Sequence, residues 1–101
     1  MIKHLVFWRL KPEALGKSKA ENLQEIKTRL EELADKITGM IRIEVGINFD
    51  TSERAADAAL YSVFESQEAL NDYQNYPDHV AIKDFIGQVV TEARVVDYEV
   101  S

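Results

Sequence analysis

The segment IKHLVFWRL, residues 2–10, restricts the fold more than any other part of the chain. Branched and aromatic residues dominate it and Pro12 follows it, which predicts a β-strand. One face of this strand carries His4, Val6, Trp8 and Leu10. The other face carries Leu5 and Phe7. Because both faces are largely apolar, a sheet that contains this strand needs cover on both sides.

Two helical regions are predicted from capping residues and apolar spacing. Ser18 begins a capping box, and apolar residues at helical spacing continue to Gly39, which provides the stop. Ser66 can cap the second region, and Pro77 divides it because proline lacks a backbone donor. The piece after the proline is predicted as a helix over residues 78–91. Its apolar residues are Val80, Phe85, Ile86, Val89 and Val90.

Three further strands are predicted over residues 40–49, 58–65 and 94–100. The resulting order β-α-β-β-α-β is that of a ferredoxin-like fold, an α+β fold with a four-stranded antiparallel sheet and helices on one face. A chain of 101 residues has no room for a second domain, so a single domain is expected over residues 1–101.

The sheet face that the helices leave open is predicted to form a dimer interface. It carries Leu5, Phe7, Tyr61 and Val63. These side chains are too apolar to leave in water on so small a domain, so we expect them to pack on a second sheet in a two-fold homodimer. The alternative is a subunit whose outer face is simply apolar.

Charge and composition exclude several classes of function. The net charge is −6, and the acidic chain has no basic patch of the kind that binds nucleic acid. The absence of cysteine removes disulfides, thiolate metal sites and cysteine nucleophiles. No segment approaches the roughly 20 apolar residues of a membrane span, and charges interrupt the apolar N-terminus. We therefore expect a soluble cytoplasmic protein with no membrane or nucleic-acid partner.

The segment DYQNYPDHV, residues 72–80, combines two tyrosines, a proline and one of the two histidines. With IKHLVFWRLK, GMIRIEVGINF and VVDYEV it resembles the stress-responsive A/B barrel (Dabb) domain over nearly the whole chain. The most specific part is F-E-S-x-E-A-L-x-x-Y-x-x-x-P-x-H, residues 64–79, together with His4. The resemblance implies a ferredoxin-like fold whose sheets pair into a dimeric α/β barrel.

The resemblance also implies a candidate site. Most members of this family have no assigned activity, some are plant stress proteins that form large oligomers, and one branch contains a plant polyketide cyclase. In that branch a histidine at the position of His79 acts as base, a tyrosine at the position of Tyr73 assists it, and a histidine at the position of His4 lines the pocket. The pocket would be lined here by Val6, Trp8, Leu60 and Phe64.

A break at Pro77 can turn His79 back toward the sheet face that carries His4. A neutral imidazole at His79 would then remove a proton between two carbonyl groups, and Tyr73 would hydrogen-bond the enolate oxygen. The alternative is structural: His79 bonds a backbone carbonyl at a helix start and Tyr73 is a core ring. The cyclase has another pocket histidine where this chain has Ala58, and Trp8 replaces a smaller residue.

Three functions remain open from the sequence. The first is a dimeric protein that binds a small hydrophobic or aromatic metabolite. The second is a cofactor-independent enzyme resembling the cyclase, or a monooxygenase or isomerase. The third is a structural or stress-protective oligomer whose pocket Trp8 fills. An open cavity of about 300 Å³ or more beside His79 would favour the first two.

No side-chain metal site is predicted. Asp50, Glu53 and Asp57 lack the spacing of a calcium loop and are expected to be solvated. Some family members hold a structural magnesium through backbone carbonyls, and the corresponding positions are Ala34, Ile37 and Met40. No other cofactor is expected.

Overall fold

A computed structural model describes all residues from Met1 to Ser101. The elements, in chain order, are β1 (Ile2–Leu10), β2 (Glu13–Ala14), β3 (Lys17–Ser18), α1 (Lys19–Glu31), β4 (Met40–Ile47), β5 (Ala58–Phe64), α2 (Gln67–Asn75), α3 (Pro77–Val89) and β6 (Val90–Glu99). Four strands form an antiparallel sheet in the order β4-β5-β1-β6, and β2 and β3 form a small hairpin. The ferredoxin-like fold is confirmed. None of the helices is long and apolar enough to cross a membrane.

Strand register determines which residues share the helix-covered face of the sheet. His4 lies opposite Ser62 on β5 and Asp97 on β6, whereas the next residue, Leu5, lies opposite Tyr61. The even-numbered residues of β1 are buried against the helices. The core and every residue discussed below as part of the cavity therefore lie on one side of β1.

Both predicted helix caps are present. The Ser18 side chain accepts a hydrogen bond from the backbone N–H of Glu21, whose carboxylate accepts one from Ser18 N. Ser66 Oγ accepts a hydrogen bond from Ala69 N over 3.1 Å. Between α2 and α3, Tyr76 adopts an extended conformation with ψ of 128°, as expected for a residue before proline. The extended residue before Pro77 therefore interrupts the helical spacing in the middle of DYQNYPDHV.

The first helix is shorter than predicted. It ends at Glu31, and residues 32–38 continue as turns with hydrogen bonds of the i to i−3 type, such as Leu33 N to Leu30 O. Leu33 and Ile37 remain buried, so the apolar spacing persists beyond the α-helix. Because that spacing does not distinguish an α-helix from tighter turns, the predicted helix extended to Gly39.

Three other features differ from the predictions. The hairpin of β2 and β3 was not predicted, because its turn is formed by Leu15 and Gly16 with positive φ. The last strand begins at Val90, directly after α3, and not at residue 94. Val80 was predicted as an apolar core position but is 48% exposed, and Ile82 is buried instead.

Candidate functional site

A cavity of about 340 Å³ opens between α3 and the helix-facing side of β1 and β6. It is lined by both histidines, His4 and His79, and by the expected pocket residues Val6, Trp8 and Leu60. Trp8 is buried in the wall but leaves this volume open. The size is at the lower end of the range for sites that bind small molecules.

Two residues expected at the cavity lie beneath it instead. Phe64 and Tyr73 are fully buried, do not line the cavity and pack on each other with ring centroids 5.1 Å apart. The Tyr73 hydroxyl has no hydrogen-bond partner, and burial raises its pKa. In this arrangement Tyr73 supports the wall of the site and its hydroxyl does not reach the open volume.

His79 lies on the wall with its ring stacked on Tyr73 at a centroid distance of 3.9 Å and an angle of 26°. Burial, followed by the charges of Lys83 and His4, lowers the pKa of His79 to about 4, and the backbone carbonyls of Tyr73 and Gln74 oppose this shift only in part. Its Nδ1 is buried without a hydrogen-bond partner. Such an unpaired atom costs about 1–3 kcal/mol. His79 is therefore neutral at pH 7.

His4 has a carboxylate partner that the sequence did not reveal. Asp97 lies directly opposite it on β6, and Asp97 Oδ1 is 2.5 Å from His4 Nδ1. When the imidazole is neutral, this contact places its proton on Nδ1 and leaves Nε2 as the acceptor. Asp97 also lines the cavity. The alternation in VVDYEV places Asp97 on one face with Val95, but the register that pairs it with His4 follows only from the assembled sheet.

The position of His4 is fixed by further contacts. Its backbone carbonyl accepts a hydrogen bond from Ser62 Oγ over 2.9 Å, and Ser62 is fully buried. Phe64 and Tyr73 meet its ring edge to face, with centroids 6.4 and 6.2 Å away. The imidazole is therefore held on the sheet by packing as well as by Asp97.

One lysine lines the cavity. Lys83 follows His79 by one helical turn on α3, is exposed, and donates a hydrogen bond from Nζ to the Gln74 backbone carbonyl over 2.9 Å. It forms no ion pair with a carboxylate of the chain. The sequence prediction did not include Lys83, although its i to i+4 spacing from His79 places both residues on one helix face.

The structure contains no group of three or more histidine or acidic side chains that could hold a metal ion. Asp57 accepts hydrogen bonds from Leu10 N (2.8 Å) and Lys19 Nζ (3.4 Å), so it connects its loop to the rest of the chain. A magnesium ion bound by the carbonyls of residues 34, 37 and 40 stays a prediction. The Ile37 carbonyl accepts a hydrogen bond from Met40 N over 3.3 Å.

The opposite face of the sheet carries the four residues predicted to contact a partner. Leu5 and Tyr61 are half-buried and Phe7 is 37% exposed. Val63 differs, because it is only 6% exposed within the single chain, with Lys3 and Arg42 as its neighbours on the adjacent strands. Val96 and Tyr98 on β6 extend this apolar area. Phe49 in the loop after β4 is 97% exposed and lies beside the same face.

Comparison with solved structures supports the fold assignment. A dimeric protein of unknown function with a ferredoxin-like fold from Bacteroides fragilis is 30% identical, with a TM-score of 0.87 over 98% of this chain and 95% of that one. A Dabb family protein from Mesorhizobium loti is 22% identical, with a TM-score of 0.76 over 99% and 96% of the two chains. The hydroxynitrile lyase from Passiflora edulis is 18% identical, with a TM-score of 0.78 over 99% and 93%.

No curated protein matches the sequence. The family model of the stress-responsive A/B barrel domain, Dabb, matches residues 2–100, nearly the whole chain. The resemblance seen in the sequence motifs is thereby confirmed, and the chain belongs to the stress-responsive A/B barrel domain family.

Proposed function

We propose that this protein binds a small apolar or aromatic carbonyl compound in the cavity and transfers a proton at it, with His4 as the base. The observation that carries this proposal is the contact between His4 Nδ1 and Asp97 Oδ1 on the wall of an open cavity of about 340 Å³. A carboxylate on Nδ1 orients the ring and stabilises the imidazolium that forms when Nε2 takes a proton.

His4 is a better candidate for the base than His79, which the sequence favoured. The pKa of His79 is lowered to about 4, because burial and the nearby Lys83 disfavour its charged form. A base this weak gives little driving force for proton removal at neutral pH. In this proposal His79 is a neutral polar group on the cavity wall that can hydrogen-bond the ligand.

The proposed proton transfer needs no further reactant. A C–H bond beside the carbonyl breaks, its proton moves to His4 Nε2, and its electron pair forms the enolate C=C bond as the carbonyl oxygen gains the negative charge. Return of a proton to carbon completes an exchange or an isomerisation. The fold relative named a hydroxynitrile lyase suggests a cyanohydrin as a second probe, in which the base would take the hydroxyl proton.

Ligand binding without chemistry is the second candidate. Most of the cavity wall is apolar, and both aromatic residues beneath it are fixed by packing. The open cavity beside Trp8 argues against a purely structural oligomer, whose pocket was expected to be filled.

We also propose that two copies pair through the outer sheet face that carries Leu5, Phe7 and Tyr61. The exposed apolar side chains there and the dimeric relative from Bacteroides fragilis support this arrangement. Phe49 would then contact the partner subunit at the rim of the interface.

Deuterium exchange tests the proposed chemistry. The protein is incubated with 4-phenyl-2-butanone in D₂O, and loss of the α-proton signals is followed by NMR. We expect exchange faster than buffer with the wild type and its loss with His4→Gln. Amide shifts around the cavity without exchange would instead support binding alone, and the absence of both would overturn the proposal.

A further inference from the structure

Polar and apolar groups are separated along the cavity. On β1 the wall residues run from His4 through Val6 to Trp8, and on β6 their partners run from Asp97 through Val95 to Ala93. At about 3.3 Å per residue, His4 and Trp8 are roughly 13 Å apart along the strand. The cavity therefore has one polar end and one apolar end.

The helix side of the cavity follows the same order. His79 and Lys83 precede Ile86 and Gly87 along α3. His79 stacks on Tyr73, and the ring centroid of Tyr73 is 6.2 Å from that of His4, so the polar residues of the helix and of the sheet lie at the same end of the cavity. A ligand that matches this wall has a polar head and an apolar body.

The charges at the polar end favour an anionic head. Lys83 is the only lysine or arginine on the wall, and no carboxylate of the chain pairs with it. Asp97 is the only carboxylate on the wall, and it contacts His4. The hydrogen bond to the Gln74 carbonyl uses one of the three ammonium protons of Lys83 and holds the amine at the polar end.

We propose that the ligand is a small keto acid with an aryl or alkyl body. Its carboxylate pairs with Lys83, its ketone lies at His4, and its hydrocarbon body extends toward Trp8 and Gly87. The role of the ketone rests on the proposed function, whereas recognition of the carboxylate by Lys83 does not.

The chain offers a matched control for the structural role of Lys83. Lys83 caps the end of α2 through the Gln74 carbonyl, and Lys11 bonds the Gln88 carbonyl near the end of α3 over 3.1 Å. Lys11 is also exposed but does not line the cavity. Lys11→Gln therefore removes a comparable bond without touching the polar end.

Gly87 gives a way to block the apolar end. A Cβ built at Gly87 meets no atom within 4 Å, and its backbone conformation needs no glycine. Gly87→Phe can therefore add a ring at the cavity wall without displacing the core. Ala81→Phe is its control, because Ala81 is an exposed residue of α3 that does not line the cavity.

The test compares 3-phenylpropanoate with its neutral analogue 3-phenylpropanamide by NMR titration at low salt. We expect the wild type, Lys11→Gln and Lys83→Arg to bind the acid about two- to fivefold more tightly than the amide, the factor given by one exposed charge pair. Lys83→Gln should bind the two probes equally. Gly87→Phe should weaken the binding of both probes, and Ala81→Phe should weaken neither.

Equal binding of acid and amide by the wild type would overturn the proposal. A preference for the acid that survives in Lys83→Gln would overturn it as well, and so would the absence of binding by the wild type. Exchange of 4-phenyl-2-butanone is measured separately. A preference for the acid without proton exchange would contradict the proposed chemistry but not the recognition of the carboxylate by Lys83. Proton exchange without this preference would contradict the recognition of the carboxylate but not the proposed chemistry.

Discussion

The rings of Tyr73 and His79 stack with centroids 3.9 Å apart, although they belong to different helices. On one continuous helix, residues six apart would not share a face. The bend at Tyr76 and Pro77 makes the contact possible, so the segment is both a helix junction and part of the cavity wall. Two consequences of the stack are that His79 is buried and that it remains neutral.

Burial of His79 predicts a stability that falls with acidity. Its pKa is lowered from 6.5 to about 4 in the folded chain, so the unfolded chain binds more protons between these values. The contribution of His79 to the free energy of unfolding should therefore be fully present above pH 6.5. It should decrease as the pH falls to about 4, by at most about 3 kcal/mol.

Urea denaturation at several pH values measures this loss. His79→Phe retains an aromatic ring against Tyr73 and removes the titrating group, so its stability should change less than that of the wild type across this range. An identical decrease in both proteins would assign the pH dependence to other groups.

Gly39 and Gly87 should respond to alanine in opposite directions. Gly39 has φ of 85°, and a Cβ there would lie 2.7 Å from the Ala69 Cβ, so Gly39→Ala should destabilise the fold by about 1–3 kcal/mol. Gly87 is an exposed helical position with free space around it, and Gly87→Ala should stabilise by about 0.5–1 kcal/mol. Thermal unfolding of the two variants checks the prediction, and a shift of the same sign in both would contradict it.

Local sequence patterns predicted the strands, the helix caps and the break at Pro77, because each depends on neighbouring residues. The partner of His4 could not be predicted, since Asp97 is 93 positions away and meets it only through the β1–β6 register. Tyr73 was expected to reach the ligand, but its depth is set by packing of α2 on Phe64. The periodicity of a segment gives no information about its long-range strand register or about how deeply a side chain is buried.

The outer face of the sheet should determine the oligomeric state. Phe7→Asp places a charge in the proposed interface, and Phe49→Ser removes an apolar side chain that is 97% exposed and therefore contributes little to the fold of one chain. Both should shift the dimer toward monomer in sedimentation velocity, and Phe49→Ser should leave the far-UV CD spectrum unchanged. Val63 is a poor choice for this test because it is buried within the subunit.

Val80→Asp is the control for that experiment. Val80 is an apolar residue, 48% exposed, on α3 and away from the outer sheet face. The variant Val80→Asp should leave the sedimentation coefficient unchanged. Dissociation by Val80→Asp together with an intact Phe7→Asp dimer would place the interface on the helices.

Removing Asp97 should impair proton transfer while the chain remains folded. Asp97 is 45% exposed at its side chain, so Asp97→Ala leaves no buried charge unpaired, but it removes the group that orients His4 and stabilises its imidazolium. The rate of α-deuteration should fall by about 10- to 100-fold, the size expected for loss of a group that orients a functional histidine. Asp84→Ala is the matched control, because Asp84 is an exposed carboxylate on α3 that does not line the cavity. Equal exchange rates in Asp97→Ala and Asp84→Ala would show that proton transfer does not depend on the carboxylate partner of His4, and would contradict the role proposed for the contact between His4 and Asp97.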